Sequence, residues 1–222
     1  MRRFGLLLVV ALASGCGAGE TRGTASVWVT RDRGGEVLLV RAVPAGLTAM
    51  QALKRVADVK TRYGGRFVQA VNGIEGSASA GRDWFYFVNG IEADRGAAEY
   101  RLHPGDIEWW DYRGWSGSGQ VRAVVGAFPE PFLHGYGGKR PPAAVSCHVP
   151  RLESTCSRLA RIIRADGGPS ADANVLVVTS RSVPFKATLS GAHRVRFVIS
   201  ARDAPRLARN PRLARFRYQG LP

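Results

Sequence analysis

The sequence predicts an α+β fold: a mixed sheet carrying one helix, followed by a second, smaller α/β module. Three observations carry that expectation. Between residues 27 and 112, five short runs rich in β-branched and aromatic side chains surround one run of helical periodicity. Residues 143–222 repeat strand and helix patterns on a smaller scale. A breaker-rich stretch over 116–142 separates the two. The 222 residues are 45% hydrophobic and 22% charged with a formal net charge of +15, which excludes collagen, coiled coil and wholesale disorder. Two folded units are expected, 25–115 and 143–222, each large enough to bury a modest core. Nothing in the composition points to a metal, a cofactor or a reaction.

The first element is an export signal. Arg2 and Arg3 precede the apolar run from Phe4 to Ala13, and Ala13-Ser14-Gly15 leads into Cys16. Small residues directly before a cysteine resemble a lipobox, so residues 1–15 are expected to be removed. Cys16 would then be acylated, and 16–24 would form a lipid-anchored spacer. That places the protein outside the cytoplasm, held to the membrane. An ordinary signal peptide with an incidental cysteine, or an uncleaved anchor, is the alternative, although the run falls short of the ~20 residues of a comfortable span. Gly5 after Phe4 leaves Arg2-Arg3 as a plain positive n-region.

Val27-Trp28-Val29 and Val37-Leu38-Leu39-Val40 flank a glycine-bearing turn at 31–35, as a hairpin would. Leu47, Met50, Leu53 and Val56-Ala57 recur at helical spacing, with Thr48 placed as a cap. Strands follow at 67–71 and 84–88, each ending in Val-Asn-Gly-Ile, a tight turn in which Asn and Gly take positive φ. His103-Pro104-Gly105-Asp106 turns into a last strand at 107–112. The order is therefore β, β, α, β, β, β.

From 116 to 142, Pro129, Pro131, Gly135, Gly137-Gly138 and Pro141-Pro142 read as an inter-domain segment. Phe128, Phe132, Leu133 and Tyr136 make it too apolar for a free tether, so it is expected to pack on a neighbour. The second module offers strands at 143–147, 175–179 and 194–199 and a helix over 152–165. On that helix Leu152, Cys156, Leu159 and Ile163 share one face while Arg158, Arg161 and Arg164 step along the other. Cys147 and Cys156 form an even pair in an oxidising compartment and are expected to be joined. A metal set of Cys147, His148 and Cys156 lacks a fourth ligand nearby.

Charge is distributed unevenly. Residues 24–115 hold 12 basic and 11 acidic side chains; residues 139–222 hold 16 and 4. A field of that kind draws the second module toward anionic lipids or acidic envelope polymers. The usual nucleic-acid motifs are missing, so nucleic acid is not an expected partner. Because 28 of the 32 cations are arginine, genomic bias is the competing explanation.

Asp83-Trp84-Phe85-Tyr86-Phe87-Val88-Asn89-Gly90-Ile91, followed by Gly96-Ala97-Ala98-Glu99-Tyr100-Arg101-Leu102 and Pro104-Gly105-Asp106-Ile107-Glu108-Trp109, carries a resemblance. The stretch from about Leu47 to Trp115 resembles the transcobalamin-like C-terminal domain of bacterial extracytoplasmic proteins. The resemblance implies a β-grasp fold, consistent with the element order, and makes cobalamin a candidate ligand. The separate helical domain that holds most of the corrinoid in cobalamin carriers has no counterpart in this sequence.

Alternation places Trp84 and Tyr86 on one face and Phe85 and Phe87 on the other, with Trp109 opposite Trp110. One set must cover the helix. Trp84, Tyr86, Trp110 and Tyr112 are expected on the open face, with Trp115 at its end, where such rings would stack on a flat ligand. The competing reading is that all of them close a small core. Asn72, Asn89, Gly90, Gly105 and Asp106 are expected as turn formers and His103 as a surface residue. No nucleophile elbow or phosphate-cradling loop occurs, so no enzyme is expected. Two functions remain: a ligand-binding lipoprotein, or an envelope interaction module whose basic half binds anionic surface while the first unit docks a protein.

Overall fold

The structure, a computed structural model, describes residues 23–115, 120–191 and 193–222. The expected signal at 1–15, Cys16 and the spacer up to residue 22 lie outside the described residues. No helix among the described residues is long and apolar enough to cross a membrane.

The hairpin is β1 (Thr24–Arg31) and β2 (Glu36–Pro44), followed by α1 (Ala49–Val56). Thr48 caps α1: its Oγ1 accepts from the Gln51 amide at 3.2 Å while the Gln51 side chain accepts from the Thr48 amide at 2.9 Å. Next come β3 (Val59–Arg62), β4 (Phe67–Val71), β5 (Ile74–Glu75), β6 (Arg82–Val88), β7 (Ile91–Glu92) and β8 (Ile107–Gly114). The later part holds β9 (Ala143–Cys147), α2 (Glu153–Ile162), β10 (Asn174–Thr179), β11 (Lys186–Ser190), β12 (Arg194–Ser200) and α3 (Ala204–Arg209). The fold is mixed α+β with three sheets and few helices. Both Asn-Gly turns take the expected conformation, with φ of 49° and 81° at Asn72 and Gly73 and 53° and 80° at Asn89 and Gly90.

One sheet has the order β2-β1-β8-β6-β7, with β1 parallel to β8 and the other pairs antiparallel. A small sheet, β3-β4-β5, stands beside it. The third, β11-β12-β10-β9, is parallel except for its antiparallel edge strand β11. A disulfide between Cys147 and Cys156 ties β9 to α2, with the sulfurs 2.01 Å apart.

Both faces of the first sheet are covered. On one, Val27, Val29, Trp84, Val88 and Trp110 pack with Met50 and Leu53 of α1 and Val68 and Val71 of β4. On the other, Trp28, Phe87 and Trp109 pack with Val124 and with Phe216 and Tyr218 of the C-terminal tail. The tail comes so close that a Cβ added at Gly34 would stand 1.6 Å from the Phe216 carbonyl oxygen. Glycine is required there. The segment 120–142 packs on both neighbours: Phe132 meets Phe197 with ring centroids 5.1 Å apart, and Tyr136 meets Tyr100 at 5.2 Å. The main core runs continuously from Ala25 to Ala214.

Candidate functional site

The site begins with an incomplete strand pairing. β6 is paired with β8 along its whole length, but on its other side β7 reaches only Phe87 and Val88. Arg82 exchanges backbone hydrogen bonds with Ser77 and the Tyr86 carbonyl accepts from the Ala93 amide at 3.1 Å, so among the described residues the open edge is confined to 83–85. A cleft of about 410 Å³ lies against that edge, lined by Trp84, Phe85, Tyr86 and Trp110 from the sheet and by Phe67 and Trp115 at its mouth. Its size suits one small ligand.

Hydrogen bonds and stacking fix the rings. The Trp84 Nε1 donates to the Ile74 carbonyl at 3.0 Å. Tyr86 stacks on Trp110 with centroids 4.7 Å apart and planes 18° from parallel. The Tyr86 hydroxyl donates to the Arg95 carbonyl, and burial pushes it above the ordinary tyrosine range. Behind these rings, Trp110 Nε1 donates to Glu108, whose carboxyl is fully buried and pushed well up by desolvation. Phe67 and Trp115 are 40% and 39% exposed, so the mouth presents aromatic surface to solvent.

Polar groups rim the cleft. Burial raises the Asp83 carboxyl, opposed by its bond from the Trp84 amide and by Arg62. Burial also raises Glu92, opposed by Arg113. The guanidinium of Arg113 lies 3.8 Å from the Phe85 ring centroid and 3.8 Å from a Glu92 oxygen. Such a rim can orient a ligand whose body rests on the rings.

The expected open face does not exist. Trp84 and Trp110 are 5% and 3% exposed, because α1 and the β3-β4-β5 sheet close the face they share while the tail closes the other. The core-forming alternative describes the bulk of these two rings. Yet Trp84, Tyr86, Trp110 and Trp115 all reach the cleft by their margins, at the sheet edge. Tyr112 does not: its ring sits 5.3 Å from Trp84 and its hydroxyl donates to the Glu75 carbonyl at 3.0 Å. Asn89 and Asp106 exceed their turn-forming role. Asn89 is fully buried, donating to Asp106 Oδ1 at 2.7 Å and to the Gly135 carbonyl at 2.8 Å. Phe67 escaped the sequence reading, although an aromatic following Gly64-Gly65 at the start of a short strand is a signal for an exposed ring.

Cys147 and Cys156 are committed to each other, and among the described residues no cluster of three or more His, Cys, Asp or Glu could hold a metal ion. Residues 46–114 match a domain family. It is described as a domain of unknown function, DUF4430. The DUF4430 match runs from just before α1 to the end of β8 and takes in Phe67, Trp84, Tyr86 and Trp110, while Trp115 lies just beyond it. A crystal structure from Ruminococcus gnavus, of a protein provisionally described as metal binding, is 16% identical and covers 41% of this chain and 97% of its own. Its TM-score of 0.34 is too low to carry an inference. No curated protein matches the chain.

Proposed function

We propose that this chain is a non-enzymatic, extracytoplasmic binding lipoprotein that takes a small flat molecule in the aromatic cleft beside β6. The observation that carries the reading is the convergence of Trp84, Tyr86, Trp110, Trp115 and Phe67 on one hollow at an unpaired strand edge. Fixed rings with two exposed ones at the mouth form a surface on which a planar body can stack. The hairpin, helix and mixed sheet of residues 25–115 are read as a transcobalamin-like β-grasp. Cobalamin is accordingly a candidate ligand, and a cleft of about 410 Å³ would grip an edge of a corrinoid rather than enclose it. Cys16 provides the lipid anchor in this reading.

The test is tryptophan fluorescence of the protein titrated with a panel of corrinoids and other flat molecules, corrected for inner-filter absorption and checked by calorimetry. Saturable binding is expected, weakened about tenfold by Trp115→Ala and by Phe67→Ala, the expected size for loss of one stacked ring. Both side chains are exposed, so these variants keep the native Tm. Trp84→Ala would confuse the result by opening the core. No quenching and no heat across the panel overturns the proposal.

A second reading has one observation in its favour. Arg158 and Arg161 of α2 and Arg209 of α3 converge with Ser154 and Thr155 on a polar hollow of about 340 Å³. That is chemistry for an anionic headgroup or wall polymer, with the first unit left to dock a protein partner. Salt separates the two readings, because exposed charge pairs are screened and stacking is not. Membrane association of a Cys16→Ser form should be washed away by high salt; association that survives unchanged removes this second reading.

A further inference from the structure

A basic hollow lies apart from the aromatic cleft, sharing with it Gln120 alone among the described lining residues. It measures about 570 Å³ and is walled by three pieces of chain: residues 120–123, the β11 stretch from Lys186 to Leu189, and the tail at 217–219. Arg33 of the first hairpin, Arg122, Lys186 and Arg217 line it, and no acidic side chain appears among the described lining residues. Among the described residues Arg122, Lys186 and Arg217 form no ion pair, and all three are exposed. Of the carboxylates behind the hollow, Asp111 is saturated by Thr30, the amides of Arg33 and Gly34, and the Tyr218 hydroxyl, while half-buried Glu92 bonds Gln120 and feels the charge of Arg122 without forming an ion pair with it.

The backbone of this hollow is as informative as its charge. β11 is the edge strand of its sheet, paired among the described residues with β12 alone. The tail begins to pair with its outer side, since the Gly220 amide donates to the Phe185 carbonyl at 2.7 Å. Then it turns away. Peptide groups alternate along a strand, so Ala187 and Leu189 present N–H and C=O to the same outer side as Phe185. Among the described residues, no backbone bond outside the β11–β12 ladder reaches either residue. Lys186 and Thr188 are exposed on the strand's solvent face.

We infer that this hollow is a docking site for an extended acidic peptide segment, which adds a strand to the outer edge of β11 and sets its carboxylates against Arg122, Lys186 and Arg217. The unfinished edge supplies main-chain hydrogen bonds and the cations select the partner's charge. The free edge favours a peptide over a small anion, which would use the charges and leave Ala187 and Leu189 unpaired.

The probe is a fluorescein-labelled heptapeptide, Thr-Glu-Val-Glu-Thr-Glu-Val, titrated against the full chain by fluorescence polarisation, with the same peptide bearing Gln for Glu as control. Saturable binding is expected that falls steeply with salt, and about tenfold in Lys186→Glu and Arg122→Glu at unchanged Tm. Ala187→Pro removes one outward N–H and is expected to abolish it, proline being tolerated on an edge strand. Independently of whether that variant folds, amide exchange at Ala187 and Leu189 of the unaltered protein should slow when peptide is added. Binding that leaves those two amides unprotected, equal binding of the Gln peptide, or displacement by free glutamate or inorganic phosphate at equal molarity overturns the inference. So does the absence of binding, in which case Lys186 serves to discourage edge pairing.

Discussion

Two buried carboxylates on β8 show how differently one side-chain type can be held. Asp111 uses both oxygens: Oδ1 accepts from Thr30 Oγ1 at 2.5 Å and the Gly34 amide at 3.0 Å, Oδ2 from the Arg33 amide at 3.1 Å and the Tyr218 hydroxyl at 2.9 Å. It pins the first turn and the tail to the sheet. Glu108 faces the other side, with Trp110 as partner of one oxygen and, among the described residues, none for the other. Desolvation therefore keeps it protonated far above the usual carboxylate range. Between the unfolded-chain value of about 4.3 and the higher folded value, the native state retains a proton that the unfolded chain has lost. The stability this carboxyl contributes is full below about 4.3 and is lost as pH rises toward the folded value. Glu108→Gln keeps an acceptor for Trp110 and cannot ionise. Urea unfolding from pH 5 to pH 8 should show the variant gaining on the native protein by up to roughly 1 kcal/mol per pH unit. Parallel profiles would mean that Glu108 is solvated in the folded state.

At the scale of elements, the long apolar segments are those most readily found from sequence. The helix at α2 follows its stripe of Cys156, Leu159 and Ile163, all buried. It ends earlier than expected, at Ile162, and Arg164 then takes a φ of 50°. β3, β5, β7, β11 and α3 escape the reading because each is short or built from polar and small residues. Val-Lys-Thr-Arg and Lys-Ala-Thr-Leu-Ser become strands through their partners β4 and β12 rather than through their own propensity. The disulfide joins β9 to α2 across a separation of nine residues. Closing so short a loop restricts the unfolded chain, so Cys147→Ser with Cys156→Ser is expected to lower unfolding free energy by about 2–3 kcal/mol. Equal urea midpoints with and without reductant would contradict this.

For the whole molecule, the decisive contacts join parts distant in sequence. Phe216 meets Trp28 with centroids 4.7 Å apart, and Tyr218 meets Phe87 and Trp109 at 5.6 Å. Asp94 ties the two larger sheets together, accepting from the Tyr136 hydroxyl at 2.7 Å and from His193 at 2.8 Å. Burial alone would raise that carboxyl, but bonds from Tyr136, His193 and Arg95 outweigh it and hold it at about 2. Its contribution is thus present above the unfolded value and lost as pH falls through about 2. The tail's role as a cover predicts that Phe216→Ala with Tyr218→Ala costs roughly 3 kcal/mol and uncovers a surface that binds a hydrophobic dye. A variant as stable as the native chain would show that the sheet's second face does not need the tail.

Sequence alone determined the α+β class, the hairpin followed by a capped helix, the two Asn-Gly turns, the Cys147–Cys156 pair and the aromatic residues worth watching. These are legible because periodicity, cap chemistry and turn chemistry act within a few residues. Which side of the first sheet would be open was decided only by tertiary structure, and the answer was neither. Alternation sorts Trp84 from Phe85 but says nothing of what lies against each. The covers come from α1 and β4 on one side and from Phe216 and Tyr218, more than a hundred residues away, on the other. Burial depends on packing between such distant segments, so a face expected to bind a ligand became core, and the proposed binding surface is the cleft at the strand edge.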